Sequence, residues 1–350
     1  MNKKMKGVVL LGSRSLTVRE HDIPEPGPGE VLVRVKCAGI CGSDLNTFRM
    51  TWEEIGERQN FIDGHEGGGI VEKVGSGVTK TKPGDRVTLY HFMGCGRCKY
   101  CEQGAFTLCD HFRAFGWHMH GTMAEYIICE ERCCRVLPDS LGFEESVFIG
   151  CSGSTAYEAL KKLDGFSSFG CLAIVGLGPI GIVASLIAQK IGWKTIGFDP
   201  SKNRVEFASS LGINAFVPEK EISLREQLMH RMNGNLPSRV FDTTGSPYGL
   251  ADAIDIAEKQ GHVVTIAKGK RSYSVDPPIK IGEMIAKEIV LHASWVFTVS
   301  DCDEFTSFMC DNDLSFKPVV TARYTLDQAQ EAFDYAVDQN NFGKTIFMMD

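Results

Sequence analysis

No stretch of this 350-residue chain is both long and uninterruptedly apolar. The one extended stretch without charge, Gly165 to Gln189, is broken by Gly170, Gly176, Gly178, Pro179 and Gly181. Its pattern also changes from strand-like to helical midway, so it reads as a buried strand, turn and helix rather than a lipid-spanning segment. A net positive charge is lacking as well. The balance of 37 Lys+Arg against 44 Asp+Glu gives −7, which removes the electrostatic case for a nucleic-acid or anionic-membrane partner. Near the N-terminus the apolar run is Val8–Leu11, too short for a secretory core, and the chain is expected to be soluble and cytoplasmic. Internal repeats and low-complexity tracts are missing. With 43% hydrophobic and 23% charged residues the chain is an ordinary globular one, and its length suggests two domains.

Cysteine, by contrast, is abundant: there are 13. Disulfides rarely persist in a reducing compartment, so placement matters more than number. Cys95, Cys98, Cys101 and Cys109 put four thiols on one short loop. That spacing predicts a Zn²⁺ site with a closed all-sulfur shell, which leaves no room for substrate and is therefore structural. It would hold a lobe over about residues 91–112 without a core of its own. The rival reading, a zinc ribbon on nucleic acid, is disfavoured because Arg97, Lys99 and Arg113 are the few cations nearby.

The first ~150 residues carry glycine turns and short alternating segments typical of a β-rich domain. Val31, Val33, Val35 and Cys37 are expected on one strand face, with Leu32, Arg34 and Lys36 on the other. Further strands are expected at Gly69–Val74, Arg86–Tyr90 and Glu125–Cys129. After residue 151 strand-like runs alternate with helical patterns: Leu172–Val175, Thr195–Phe198, Arg239–Asp242, Val263–Ala267 and Ile289–Ala293. Such alternation implies a doubly wound parallel α/β sheet. Ile180, Val183, Ala184, Ile187 and Ile191 mark the buried stripe of a helix. Towards the C-terminus a helix is expected over Asp327–Gln339 and a strand over Lys344–Met348, which either extend that sheet or return to the first domain.

Between the first two strands of the second half lies Gly176-Leu177-Gly178-Pro179-Ile180-Gly181. This G-x-G-x-x-G follows a buried strand and opens a helix, where backbone N–H groups and the helix dipole receive a pyrophosphate. Asp199 ends the next strand, placed to accept hydrogen bonds from ribose hydroxyls. Its charge favours NAD over NADP, although Lys202 and Arg204 nearby leave NADP open. Asp199 also reads as a residue that caps the helix following it.

Cys41, His65 and Cys151 are scattered, and spacing does not join them. A lone cysteine is usually a small buried hydrophobe. With the cysteine lobe between the second and third of these residues, and the glycine fingerprint following, the chain resembles the zinc-dependent medium-chain dehydrogenases of the alcohol dehydrogenase superfamily over essentially its whole length. The resemblance implies a Rossmann domain plus a β-rich GroES-like catalytic domain. The catalytic domain is then expected over 1–151 and 294–350, and the Rossmann domain over 152–293.

It further implies that Cys41, His65 and Cys151 hold a catalytic zinc with one open position, giving two zinc ions per chain. Zinc lowers the pKa of a bound hydroxyl towards 7 and polarises a carbonyl in the reverse direction. Asp44 resembles the carboxylate that orients the histidine ligand. Glu66 matches a glutamate just behind the metal, and Ser43 the hydroxyl that takes the substrate proton. Where relatives often end that relay with histidine, this chain has Asn46, which is no base. Gly176, Gly178, Pro179, Ile180, Gly181, Asp199 and Arg204 are the expected cofactor residues.

The expected reaction is reversible oxidation of a small-molecule alcohol by NAD, with substrate in an interdomain cleft and a homodimeric or homotetrameric assembly. Phe48, Met50, Trp52, Phe61, Phe92, Met93, Phe112, Phe115, Trp117 and Met119 flank the expected metal, with His91 four residues before Cys95. They read either as an apolar pocket for a secondary alcohol or as core and interface. The competing functions are a zinc-free NADPH-dependent double-bond reductase on the same fold and a non-catalytic NAD-binding relative.

Overall fold

A computed structural model of the chain describes residues 3–163, 170–266, 279–338 and 341–350. It divides into two compact units, one formed by Met1–Ser154 with Phe297–Asp350 and the other by Thr155–Val296.

In the first unit Glu30–Gly39 is the central strand of a seven-stranded sheet. It pairs antiparallel with Glu66–Val74, with Tyr126–Glu130 and with Lys344–Met348. The last of these pairs in parallel with Val320–Tyr324, so the C-terminal segment returns to the β-rich unit rather than extending the other sheet. Arg86–Leu89 and Cys134–Val136 complete the sheet. Val31, Val33, Val35 and Cys37 are buried as the alternation predicts, while Arg34 and Lys36 are half-buried. Leu32 departs from that pattern: it is 1% exposed, because a strand enclosed on both faces buries apolar side chains regardless of parity.

The second unit holds a six-stranded, wholly parallel sheet. In spatial order its strands are Ala215–Phe216, Lys194–Phe198, Cys171–Val175, Arg239–Asp242, His262–Thr265 and Val290–Ala293. Numbered along the chain this is 3-2-1-4-5-6, the dinucleotide-binding order, with its reversal beside Cys171–Val175. Buried β-branched and aromatic side chains explain the strands: Ile174, Val175, Ile196, Phe198, Val240, Phe241, Val263 and Val264 are all 4% exposed or less.

Pro179–Ile191 follows the first strand as a helix, with Pro179 at its first turn, where no N–H is needed. Gly192 ends it in the left-handed region at φ 92°. Near the C-terminus the expected helix resolves into a 3₁₀ turn at Leu326–Gln328 and an α-helix at Ala329–Val337. Ala267 and Gln339, at the ends of two expected elements, lie outside the described residues.

Candidate metal centre and dinucleotide site

Cys41 precedes the helix Gly42–Arg49 as its N-cap. Asp44, in the first turn, accepts the Cys41 backbone N–H through Oδ2 at 2.8 Å. Its other oxygen lies 3.1 Å from His65 Nδ1, a charge contact without the alignment of a hydrogen bond. Glu66 opens the strand Glu66–Val74, immediately after His65. It fits only because residue 39 is glycine: a Cβ there would come within 2.3 Å of both Glu66 Oε2 and Val147 Cγ1.

Cys151 comes from a π-helical turn, Phe148–Ser152, in which the Gly153 N–H reaches back five residues to the Phe148 carbonyl. Such single-turn irregularities re-aim a side chain and are frequent at functional sites. The outcome is a tight group. Ligand atoms of Cys41, His65, Glu66 and Cys151 all lie within 4.8 Å of one another.

The electrostatics of this group call for a cation. The Cys41 thiol is drawn well below its ordinary value, first by a hydrogen bond from Cys151 and then, against the cost of burial, by His65. Cys151 moves the opposite way, well above its ordinary value, because it keeps the shared proton and is buried. His65 is pushed up: burial opposes protonation, but Asp44 and Cys41 outweigh it. Burial raises Glu66 to about 7 despite Lys344. Both oxygens of Glu66, with Asp44 Oδ1 and His65 Nδ1, are buried without a well-formed hydrogen bond. Two thiols, an imidazole and buried carboxylates are a donor set suited to zinc.

Sequence reasoning missed Lys344. From the last strand it forms an ion pair with Glu66 Oε2, its side chain 3% exposed and that of Glu66 0%. A lone lysine in a strand carries no motif; its charge beside an apolar run was the available hint.

The second group is the cysteine lobe. Sγ atoms of Cys95, Cys98, Cys101 and Cys109 also lie within 4.8 Å of one another. The Cys98–Cys101 and Cys95–Cys101 separations are 3.5 and 4.0 Å. These bracket the edge of about 3.8 Å expected for a tetrahedron with 2.3 Å Zn–S bonds. Backbone N–H groups of Cys95 and His111 donate to Cys109 Sγ at 3.3 and 3.4 Å. A backbone hydrogen bond from Arg97 lowers the Cys95 thiol to about 6.

Of the apolar residues flanking the metal group, Phe48, Met93 and Phe115 belong to the sheet core, and Trp52 is 60% exposed. Helical and strand periods mark apolar faces without distinguishing core from pocket; for Phe48, Met93 and Phe115 the core reading holds. His91 and Trp117 do lie beside His65, with ring centroids at 5.0 and 4.9 Å. The His91 Nδ1–H donates to the Gly150 carbonyl at 2.8 Å, and burial, then His65, lower His91 to about 3, so the ring is neutral. Ser43 is half-buried and Asn46 exposed.

In the second unit Gly176 adopts φ 93° and Gly178 caps the helix Pro179–Ile191. A Cβ on Gly181 would lie 2.0 Å from the Gly176 carbonyl oxygen, so the turn demands glycine there. Around Gly178 the same construction meets nothing within 4 Å, leaving open space before the first N–H groups of the helix, including those of Pro179's successor Ile180. Asp199 accepts the Leu177 N–H at 2.9 Å and the Ser201 N–H at 2.8 Å, with Arg204 Nη1 3.5 Å away. Asp199 therefore both caps the following chain and braces the glycine turn.

Comparison with known proteins agrees with this architecture. The family model for the alcohol dehydrogenase GroES-like domain matches residues 27–139, and that for zinc-binding dehydrogenase matches residues 179–311. The chain is 30% identical over 341 residues, 95% of each chain, to the zinc-type alcohol dehydrogenase-like protein YphC of Escherichia coli, which is described as uncharacterized. It is 30% identical to an alcohol dehydrogenase of Geobacillus stearothermophilus, over 96% of this chain and 97% of that one. Among solved structures, the alcohol dehydrogenase TADH from Thermus sp. ATN1 superposes with a TM-score of 0.87 at 25% identity, covering 99% of this chain and 100% of that one.

The fold and the site define an alcohol-oxidising dehydrogenase. The chain belongs to the zinc-type medium-chain dehydrogenase/reductase family, and membership implies zinc and a nicotinamide cofactor. No helix among the described residues is long and apolar enough to cross a membrane.

Proposed function

We propose that this chain oxidises a secondary alcohol with an apolar body, reversibly, with NAD as hydride acceptor and two zinc ions per chain. The observation that carries the reading is the convergence of Cys41, His65, Glu66 and Cys151 within 4.8 Å. Cys41, His65 and Cys151 would hold the catalytic ion and the four lobe cysteines the structural one. Zinc bound by the first set supplies Lewis acidity, which brings a hydroxyl pKa towards 7 and polarises a carbonyl in reverse.

The chain's own residues do the rest. Asp44 fixes the orientation of the His65 ring and the start of the helix that carries Cys41. Lys344 holds Glu66 in the wall of the site. Ser43 takes the substrate proton; with Asn46 exposed one turn on, solvent carries it away. His91, neutral and held by the Gly150 carbonyl, offers an uncharged ring to substrate carbon, as does Trp117.

In the other unit Gly176, Gly178, Pro179, Ile180 and Gly181 form the pyrophosphate turn, and Asp199 receives the ribose hydroxyls. NAD is favoured over NADP because Asp199 places negative charge where a 2′-phosphate would sit, and Arg204 is already turned towards that carboxylate. Six of the thirteen cysteines fall in the two ligand groups, a use of thiols that suits a reducing, cytoplasmic compartment.

A homo-oligomer is supported by the edge strand Val290–Ala293, which among the described residues pairs only with His262–Thr265. It carries exposed Val290 and Leu291, and the preceding helix Ile281–Lys287 exposes Ile281 and Ile285.

Cys41→Ser tests the metal reading. The variant should lose one of two zinc ions and nearly all turnover while still binding NADH. Unchanged turnover would overturn the catalytic-zinc assignment and favour a zinc-free reductase. An NADH-absorbance screen of linear, cyclic and polyhydroxy alcohols tests the substrate class, and activity confined to polyols would refute the apolar body.

A further inference from the structure

Three segments distant in sequence meet around His65. They are the helix Gly42–Arg49 that starts at Cys41, the turn at Gly116–Trp117 beyond the cysteine lobe, and Asp63–Gly64, which leads into the histidine itself. Arg58, from the 3₁₀ turn Gly56–Asn60, engages all three. Its Nη1 donates to Thr47 Oγ1 at 2.5 Å and its Nε to the Gly116 carbonyl at 3.3 Å. Its Nη2 lies 3.8 Å from Asp63 Oδ1.

The guanidinium also stacks on the Trp117 indole, 4.6 Å from the ring centroid. Trp117 in turn packs on the His65 imidazole. The Arg58 side chain is 16% exposed and that of Asp63 4%, so these contacts are little screened by water. A planar fork with five donors can serve several fixed partners at once, which the single point charge of lysine cannot. Nothing in the reaction itself calls for a cation at this place.

We propose that Arg58 is a positioning residue for the metal ligands: by clamping Thr47, Gly116 and Asp63 together and backing Trp117, it fixes the spacing between Cys41 and His65. The inference rests on the reading of those two residues as zinc ligands. It acts along two short paths. Thr47 belongs to the helix whose first turn carries Asp44, bonded to Cys41 and touching His65. Asp63 lies two residues before His65, and Trp117 touches its ring. Releasing the clamp lets the two ligands drift apart while the lobe cysteines stay where they are.

The test follows zinc release from the purified enzyme to a colorimetric chelator, with Cys41→Ser identifying the phase that belongs to the catalytic ion. Arg58→Met should speed that phase roughly tenfold, the scale on which supporting groups alter metal affinity. The lobe phase should stay unchanged. Its kcat should fall by a similar factor, with KM for NAD unaltered, and Arg58→Lys should recover part of both. If Arg58→Met does not fold, Arg58→Lys and Thr47→Val decide, each expected to quicken the same phase severalfold. Wild-type release and kcat in the folded variants would overturn the proposal, as would equal acceleration of both phases, which marks general loosening. If Cys41→Ser still releases zinc in both phases, the zinc-ligand reading itself is refuted.

Discussion

Lys344 and Glu66 form a fully buried ion pair that joins the C-terminal strand to the residue directly after His65. Lys344 keeps its proton because the attraction of Glu66, Cys41 and Cys151 overrides the cost of burial. Removing one partner of such a pair leaves the other charge stranded, which typically costs about 3–5 kcal/mol. Lys344→Met should therefore lower the denaturant midpoint substantially. The double variant Lys344→Met/Glu66→Gln should regain part of the loss, because no unpaired charge remains. Urea titrations of the three proteins provide the measurement, and additive losses would contradict the coupling.

Asp63 gives a prediction about pH. Burial, and then the neighbouring Asp44, raise it from 3.8 to about 7. A carboxyl raised in the folded state binds its proton more tightly there than when unfolded. Its contribution to stability is therefore complete below pH ~4 and is lost as pH climbs through 7. Asp63→Asn should flatten that decline between pH 4 and 7, as read from unfolding midpoints across the range. A slope identical to wild type would count against the shifted carboxyl.

Cys109→Ser should remove the lobe's zinc and leave the catalytic one. Metal content should fall by one ion per chain, and residues 94–112 should become the first site of limited proteolysis. NADH binding should persist, because the glycine turn belongs to the other unit. A variant that retains both ions would show that three thiolates suffice.

Asp199→Ser should reduce kcat/KM for NAD and raise it for NADP, since it withdraws the repelling charge and frees Arg204. A combined change in the NADP/NAD ratio of about 10–100-fold corresponds to roughly 1–3 kcal/mol, the range for one charge-assisted contact. Steady-state kinetics with both cofactors measure it. The variant also strands the Leu177 and Ser201 N–H groups, so some loss of stability should accompany the switch.

Much of this molecule is legible along the chain. Runs such as Leu172–Val175 and Arg239–Asp242 announce buried parallel strands, and the four lobe cysteines announce themselves by spacing alone. What short-range pattern does not carry is convergence. Nothing local ties Cys41 to His65 or Cys151, and the resemblance to a family, not periodicity, brought them together.

Arg58 and Lys344 lay beyond even that reach. Each is a single cation without a motif, and its role emerges only when strands and turns from distant parts of the chain close around it. The apolar residues near the metal group were ambiguous for a different reason. Phe48, Met93 and Phe115 satisfy the same hydrophobic pattern whether they face substrate or one another.

The irregular turn that carries Cys151 has a consequence for how this gene can vary. Each residue advances a helix by about 100°. Losing one residue between Phe148 and Ser152 would restore ordinary winding yet swing the sulfur round to another side of the rod. Apart from Cys151 itself, substitutions in that window are limited by the bulk that buried positions accept, whereas a one-codon deletion that tidies the backbone would disarm the enzyme.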